Sequence, residues 1–283
     1  MSPASHKTIS LSVVATTSPF ISILPETFIA VDAAIQGDAA FGLSTLIGSN
    51  VADLTLIFAI LVFVTTKGGI RVEKGMLKKL YIYPLFLAIP LLLGSDGYFS
   101  RADGLTLIAI GVIFYLFVFK KSVGVGSRSV EVTYMKRNML FLILSMALLL
   151  AGAHFTVEAA QELAGQIGVS TALIGILVVS LGTTIPELMF SYRAVKNKNY
   201  GLAVGDVLGS VLADATIVIG VVSLIQPFHF PERIIYVAGG FMVCSAVLLL
   251  VFMRSGFAIK RREALLLVAV WVAYIASELL VSV

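Results

Sequence analysis

Two stretches of the chain, Pro25 to Thr55 and Pro186 to Thr216, carry acidic and hydroxyl residues in one order and at one spacing. At an offset of 161, Pro25 and Glu26 align with Pro186 and Glu187. Gly48 and Ser49 align with Gly209 and Ser210, and Ala52, Asp53 and Thr55 with Ala213, Asp214 and Thr216. In each copy the Glu precedes the Asp by 27 residues. All four acids lie in segments apolar enough to cross a bilayer, where a carboxylate at a helix centre costs roughly 2.5 to 3.5 kcal/mol. Making that placement twice points to a cation site.

The neighbouring residues supply oxygen. Pro25 and Pro186 each remove a backbone donor and disturb the helix just before the glutamate, which frees carbonyl oxygens. Ser22, Thr183 and Thr184 stand about one turn upstream of those glutamates and add neutral hydroxyls. Ser49 with Asp53, and Ser210 with Asp214, are i,i+4 pairs that put a hydroxyl and a carboxylate on one helix face. Gly48 and Gly209 let another backbone approach closely. Four carboxylates with hydroxyls and carbonyls make an all-oxygen donor set, suited to a hard cation such as Ca²⁺, which takes about 6 to 8 oxygens. Softer metals favour Cys or His.

The elements that must position these groups follow from composition. Of 283 residues 59% are apolar and 13% charged, and the mean hydropathy is +1.02. Charge far below the usual quarter marks an integral membrane protein. Apolar runs long enough to span about 30 Å of hydrocarbon read at 8 to 33, 41 to 65, 78 to 94, 103 to 119, 138 to 162, 168 to 192, 201 to 225, 234 to 253 and 263 to 282. This predicts an all-α polytopic fold of about nine spans, and the helical pattern argues against a β-barrel. The first span follows seven residues with one Lys and holds Pro25 and Glu26, so it reads as mature protein and not as a signal peptide. The single Cys244 offers no intrachain disulfide or Cys metal cluster and reads as a small buried hydrophobe.

The 20 Lys and Arg residues sort by side when connections alternate across nine spans. One side receives Lys7, the groups from Lys67 to Lys79, Lys120 to Arg137, Arg193 to Lys198, and Arg254 to Arg262. Only Arg101 and Arg233 fall on the other. This 18 to 2 division predicts a cytoplasmic N-terminus and an external C-terminus in the cell membrane. The basic residues therefore serve topology and lipid headgroups, with no nucleic-acid partner. Four crossings separate the Glu26 span from the Glu187 span, so the motifs run in opposite directions as an inverted repeat, an arrangement of many secondary transporters. Residues 1–119 form the first half with four helices, 120–137 a cytoplasmic connecting loop, and 138–283 the second half with five helices.

These motifs resemble a known family. SILPE at 22–26, GSNVAD at 48–53, GTTIPEL at 182–188 and GSVLAD at 209–214 look like the two α-repeats of the cation/Ca²⁺ exchanger superfamily, in particular its prokaryotic sodium/calcium exchangers, which carry GTSLPE and GS-N type motifs. The resemblance implies a secondary antiporter, not an enzyme, that needs no cofactor and exchanges Ca²⁺ for Na⁺ by alternating access, working as a single chain in the bilayer. It implies that Glu26 and Glu187 are the central ion ligands, that Asp53 and Asp214 complete the cluster, and that Ser49, Ser210, Thr183, Thr184 and Ser22 line flanking sites.

Three features depart from the family pattern. Phe20, Ile21, Ser22 and Ile23 stand where the family has Gly-Thr-Ser, which leaves one hydroxyl and weakens one flanking site. Asp53 and Asp214 are both acidic where the family often pairs Asn with Asp, so at least one carboxylate is expected to hold a proton when a divalent ion binds. Family members commonly have ten spans, and the helix at 138 to 162, which with its partner slides to open the site, has no counterpart before Glu26. An internal start, a shortened chain and asymmetric gating all stay open.

Weaker candidates are Asp206, which either guides ions toward Asp214 or is an external-loop or helix N-terminal carboxylate, and Asp32, read as a solvated helix end in preference to a residue of the outer vestibule. His154 and Glu158, spaced i,i+4, suggest a local hydrogen bond in preference to a proton relay. The aromatic run at 114 to 119 reads as packing or lipid contact. Competing functions are H⁺/Ca²⁺ (or other divalent cation) exchange, since an extra acid can carry H⁺, a cation channel, which usually needs a symmetric oligomer, and an intramembrane hydrolase, for which no catalytic signature is present.

Overall fold

The computed structural model describes residues 8–9, 22–65, 69–72, 74–78, 80–119, 130–131 and 135–282. Its helical rods are α1 (Leu24–Ile35), α2 (Ala39–Val64), α3 (Leu80–Leu93), α4 (Arg101–Phe119), α5 (Met135–Ile167), α6 (Thr171–Lys196), α7 (Tyr200–Ile225), α8 (Ile234–Arg254) and α9 (Arg261–Ser282). Among the described residues, five helices are long and apolar enough to cross a membrane: α2, α6, α7, α8 and most of α9. The chain is an all-α membrane protein.

The helix ends show why the sequence breaks where it does. Pro25 and Pro186 sit in the first turns of α1 and of the second segment of α6, where a missing N–H leaves no bond unmade. Upstream of Pro186, α6 is interrupted at Thr184. Gly37, at φ 86, closes α1, and Asp38 caps α2 by accepting from the Phe41 N–H. In the second copy Lys198, at φ 59, takes the same left-handed position and Asn199 caps α7 through the Leu202 N–H. That turn needs positive φ, which glycine adopts without the Cβ clash that Lys198 must tolerate.

Within α2 and α7 the helix loosens into a π-turn, at Asp53–Ile57 and Asp214–Val218. Such single-turn insertions shift the hydrogen-bonding register and are frequent at functional sites. The starts of α1 and the second segment of α6, both α2 and α7 limits, and both π-turn limits recur at the offset of 161 seen in the motifs. The duplication therefore reaches the backbone.

Short strand pairs tie the rod ends together. Ile70–Arg71 (β2) pairs with Ala258–Ile259 (β6), and Tyr98–Phe99 (β3) pairs with Phe228–His229 (β5), both antiparallel. Thr8–Ile9 (β1) pairs with Val130–Glu131 (β4). This corrects the first span read at 8 to 33: Thr8 and Ile9 are extended because they pair across to the segment before α5, and residues 10–21 lie outside the described residues. Most of the 120 to 137 connection lies outside them too, and α5 begins at Met135, earlier than the predicted 138.

The centre of the bundle is α2 and α7. Every residue from Phe41 to Thr55 is buried, as is the run from Val207 to Thr216. Small residues bring the helices together. A Cβ on Gly48 would lie 3.1 Å from Ser180 Cβ, and one on Gly175 would lie 2.6 Å from Ser44 Oγ, so α2 and α6 cross at near-backbone contact. Likewise α4 meets α7 where Gly104 and Gly220 face each other's carbonyls. Outward, Leu105, Ile113, Leu148, Leu265 and Leu280 are exposed, the apolar surface a bilayer requires.

Cys244 is exposed on α8, a correction to its expected burial. An apolar run in a membrane helix covers both the packed face and the lipid face, so apolar context alone does not assign a side.

Candidate functional site

Glu26 on α1 and Glu187 on α6 are each 1% exposed, Asp53 on α2 is 2% exposed, and Asp214 on α7 is 1% exposed. The four are near enough for their charges to act on one another: Glu26 on Asp53, Glu187 and Asp214, and Asp53 on Glu187 and Asp214. Thr183 of α6 stands close enough to act on the Glu26 carboxylate of α1. Thus the two Pro-Glu turns and the two π-turns converge on one buried region.

Each carboxylate keeps one buried oxygen without a hydrogen-bond partner: Glu26 Oε2, Asp53 Oδ1, Glu187 Oε2 and Asp214 Oδ1. Buried polar atoms are nearly always paired, and an orphaned one asks for a water, an ion or a functional role. Four orphans on four neighbouring acids form a negative, oxygen-lined locus, and hard cations are the matching chemistry. Among the described residues, no three His, Cys, Asp or Glu side chains are close enough together to hold a metal ion. In this conformation the acids are electrostatic neighbours and not a closed cage.

The expected hydroxyls are all buried. Ser49 donates to Leu46 O at 2.9 Å, and Ser210 to Val207 O at 3.0 Å. Thr183 lies 3.1 Å from Ser180 O, and Thr184 donates to Leu181 O at 3.0 Å. A hydroxyl that donates to its own helix still presents lone pairs to a cation. Ser22 is buried beside the first Pro-Glu turn. A cavity of about 490 Å³ between α1, α5 and α6 opens onto this region, lined by Pro25, Pro186, Thr183, Thr156 and apolar residues of α5.

Several residues near the acids escaped sequence reasoning. Tyr83 donates to Leu208 O at 2.9 Å and Tyr115 donates to Gly209 O, which anchors α3 and α4 to the α7 backbone about one and a half turns before Asp214. Tyr115 lies in the aromatic run assigned to packing, where nothing in sequence marks the partner of one hydroxyl. Thr55 and Thr216, part of the duplicated motif, donate to Val51 O at 2.5 Å and Leu212 O at 2.6 Å inside the π-turns.

Asp206, read from sequence as either an ion guide toward Asp214 or a carboxylate near the helix N-terminus, is buried within α7 at 1% exposure. His154 contacts Glu158 at 3.4 Å as the i,i+4 spacing suggested, and also Asp32 at 3.3 Å, joining α5 to α1. Asp32, expected as a solvated helix end, is thus engaged by His154 and by Gln36 at 2.5 Å.

With this geometry in view, the relatives of the chain can be compared. A family model described as "Sodium/calcium exchanger protein" matches residues 4–120 and 137–279. The uncharacterized membrane protein MJ0091 of Methanocaldococcus jannaschii is 29% identical over 260 residues, covering 90% of this chain and 82% of that protein. The sodium/calcium exchanger MaX1 of Methanosarcina acetivorans is 29% identical over 139 residues, 49% of this chain and 40% of that protein. A structure of the sodium-calcium exchanger NCX_Mj, soaked with 2.5 mM Na⁺ and 0.1 mM Sr²⁺, superposes with a TM-score of 0.71 at 27% identity, covering 95% of this chain and 87% of that one. The matched segments include both acidic motifs. The chain belongs to the sodium/calcium exchanger protein family, a family of membrane antiporters that exchange cations for Ca²⁺.

Proposed function

We propose that this chain exchanges Ca²⁺ for Na⁺ by alternating access at a midplane site built from Glu26, Asp53, Glu187 and Asp214. Ser22, Ser49, Thr183, Thr184 and Ser210 supply flanking oxygens. The observation that carries this reading is the set of four buried carboxylates, each with an oxygen that lacks a hydrogen-bond partner. Names of relatives that include sodium/calcium exchange favour Na⁺ as the counter-ion. Saturable Ca²⁺ flux in proteoliposomes that requires a counter-cation on the opposite side is the expected behaviour. Unsaturable, counter-ion-independent flux would indicate a channel.

The architecture in this reading has nine spans in two inverted halves, with the N-terminus cytoplasmic and the C-terminus external. The recurrence of element limits at 161 supports the duplication. The strand pairs support the sides: β2 with β6 joins two connections assigned to the cytoplasm, and β3 with β5 joins two assigned to the exterior. Single cysteines near the two termini, in a Cys244→Ser background, should react with impermeant reagent from opposite faces. Reaction of both from one face would contradict the span count and the inversion.

H⁺ coupling is the second reading, favoured by the presence of acid at both Asp53 and Asp214. A Ca²⁺ ion offsets two of four carboxylate charges, and Na⁺ or H⁺ must balance the rest. Apparent Ca²⁺ affinity should therefore fall as pH falls even at fixed Na⁺, because protons and Ca²⁺ compete for the same oxygens. Equilibrium ⁴⁵Ca²⁺ binding across a pH series checks the sign, and tighter binding in acid would contradict a carboxylate site.

A further inference from the structure

Two tyrosines hold α7 just ahead of its acid. Tyr83, buried on α3, donates to Leu208 O at 2.9 Å, and Tyr115, buried on α4, donates to the next carbonyl, Gly209 O. Ser210 follows directly, and Asp214 opens the π-turn soon after. Both carbonyls lie inside α7, where each already accepts an N–H from four residues on. The hydroxyls therefore use the second lone pairs. A phenylalanine at either position would fill nearly the same volume and leave no carbonyl orphaned, so backbone satisfaction does not require a tyrosine there. The same flank holds α7 beyond the acid. A Cβ on Gly111 of α4 would lie 2.5 Å from Thr216 Oγ1 inside the π-turn, and one on Gly104 would lie 2.8 Å from Gly220 O after it. A π-turn inserts one residue, so a shift of its place by one position turns an affected side chain by about 100° about the helix axis. Contacts on both sides of Asp214 keep that place fixed.

The first copy lacks this clamp. At the offset of 161 the matching carbonyls are Ile47 O and Gly48 O. Among the described residues no side-chain hydroxyl donates to either: the nearby Ser44 and Thr45 donate to Phe41 O, and Ser49 to Leu46 O. The starts of α4 and α9, Arg101 and Arg261, are 160 residues apart, and at that offset Tyr115 matches Ile275. The adjacent Tyr274 is 1% exposed, with a hydroxyl that has no hydrogen-bond partner. We infer that Tyr83 and Tyr115 are positioning residues for cation binding, whose hydroxyls fix the register of α7 so that Ser210 and Asp214 present preformed oxygens, while the unclamped α2 adapts around the ion with Asp53. This rests on the exchange reading above, and neither tyrosine is a ligand.

Equilibrium ⁴⁵Ca²⁺ binding to the purified protein tests this with Tyr83→Phe, Tyr115→Phe and the double variant, each made in the wild-type, Asp53→Asn and Asp214→Asn backgrounds. In the wild-type background each single change should weaken binding about two- to tenfold, the affinity equivalent of one hydrogen bond, and the double variant should lose more than either. The loss should keep its size in Asp53→Asn and shrink to within about twofold in Asp214→Asn, because only the latter removes the group being positioned. Ser210→Ala, in which the loss should also shrink, serves as the background if Asp214→Asn binds too weakly to measure. Tyr274→Phe removes a buried hydroxyl that has no partner and should leave affinity within about twofold of wild type. An equal loss in every background would mark a structural role only and overturn the assignment. Unchanged affinity in the double variant, or a loss in Tyr274→Phe as large as in Tyr115→Phe, would overturn it too. In each of these cases the wild type still binds Ca²⁺ and the exchange reading stands. Absence of Ca²⁺ binding by the wild type would instead remove that reading, and this assignment with it.

Discussion

Glu26→Gln and Glu187→Gln are each expected to nearly abolish Ca²⁺ transport while leaving folded protein in the membrane. Each glutamate is 1% exposed and keeps an oxygen without a partner, so the amide removes a full charge and one ligand oxygen without disturbing a hydrogen bond made by that atom. Losing one member of a buried charged interaction typically costs about 2 to 5 kcal/mol, or roughly 30-fold to several thousandfold in affinity. Folding should tolerate the change, since relieving repulsion among four acids offsets the lost polar contacts. Asp53→Asn should be milder, because the remaining three acids match the Asn and Asp pairing that the family resemblance led us to expect. ⁴⁵Ca²⁺ uptake into vesicles, normalised to protein recovered by size-exclusion chromatography, reads both quantities. Uptake that survives both glutamate changes would place the site elsewhere.

Gly220→Leu should remove most of the folded protein, the second large effect. A Cβ at Gly220 would lie 2.7 Å from Gly104 O, and the reciprocal Cβ at Gly104 would lie 2.8 Å from Gly220 O. The obstacle is backbone on both sides and cannot swing away as a side-chain end can. Overpacking a well-packed contact costs about 1 to 3 kcal/mol, occasionally more, and here α4 would be pushed off the helix that carries Asp214. The neighbouring Gly111, where a Cβ would lie 2.5 Å from Thr216 Oγ1, shows that the same helix pair stays tight down to the π-turn. Gly240→Ala is the control, since nothing lies within 4 Å of its Cβ position. Thermal unfolding in detergent should show a large fall for Gly220→Leu and little change for Gly240→Ala. Equal midpoints would mean that the α4 and α7 contact is not close in the membrane.

Much of this could be read in the chain because the physics is local. Apolar length located α7 and α8 to within a residue, with 201 to 225 against Tyr200–Ile225 and 234 to 253 against Ile234–Arg254. Pro-Glu doublets marked the two glutamate turns, since proline dictates where a helix can start. What stayed hidden depends on tertiary contact. A π-turn is a change of hydrogen-bond register with no residue signature of its own, so Asp53–Ile57 and Asp214–Val218 read as uninterrupted helix. Tyr115 could not be separated from Phe114 by type, although one anchors α7 and the other packs against Phe86 at 4.8 Å between ring centroids. Asp206 looked like a helix-end acid until the neighbours of α7 enclosed it. The lipid-facing side of α8 is as apolar as its packed side, which is why Cys244 was assigned to the wrong one.

The central claim, that Ca²⁺ movement through the four-carboxylate region is driven by Na⁺, meets its most direct test in proteoliposomes with an imposed Na⁺ gradient and equal, clamped pH on both sides. A matched set carries a pH gradient in Na⁺-free buffer. Ca²⁺ should accumulate against its own gradient in the first set, and Glu26→Gln and Glu187→Gln should abolish that accumulation. Accumulation driven only by the pH gradient would contradict Na⁺ coupling and establish H⁺ as the exchanged ion.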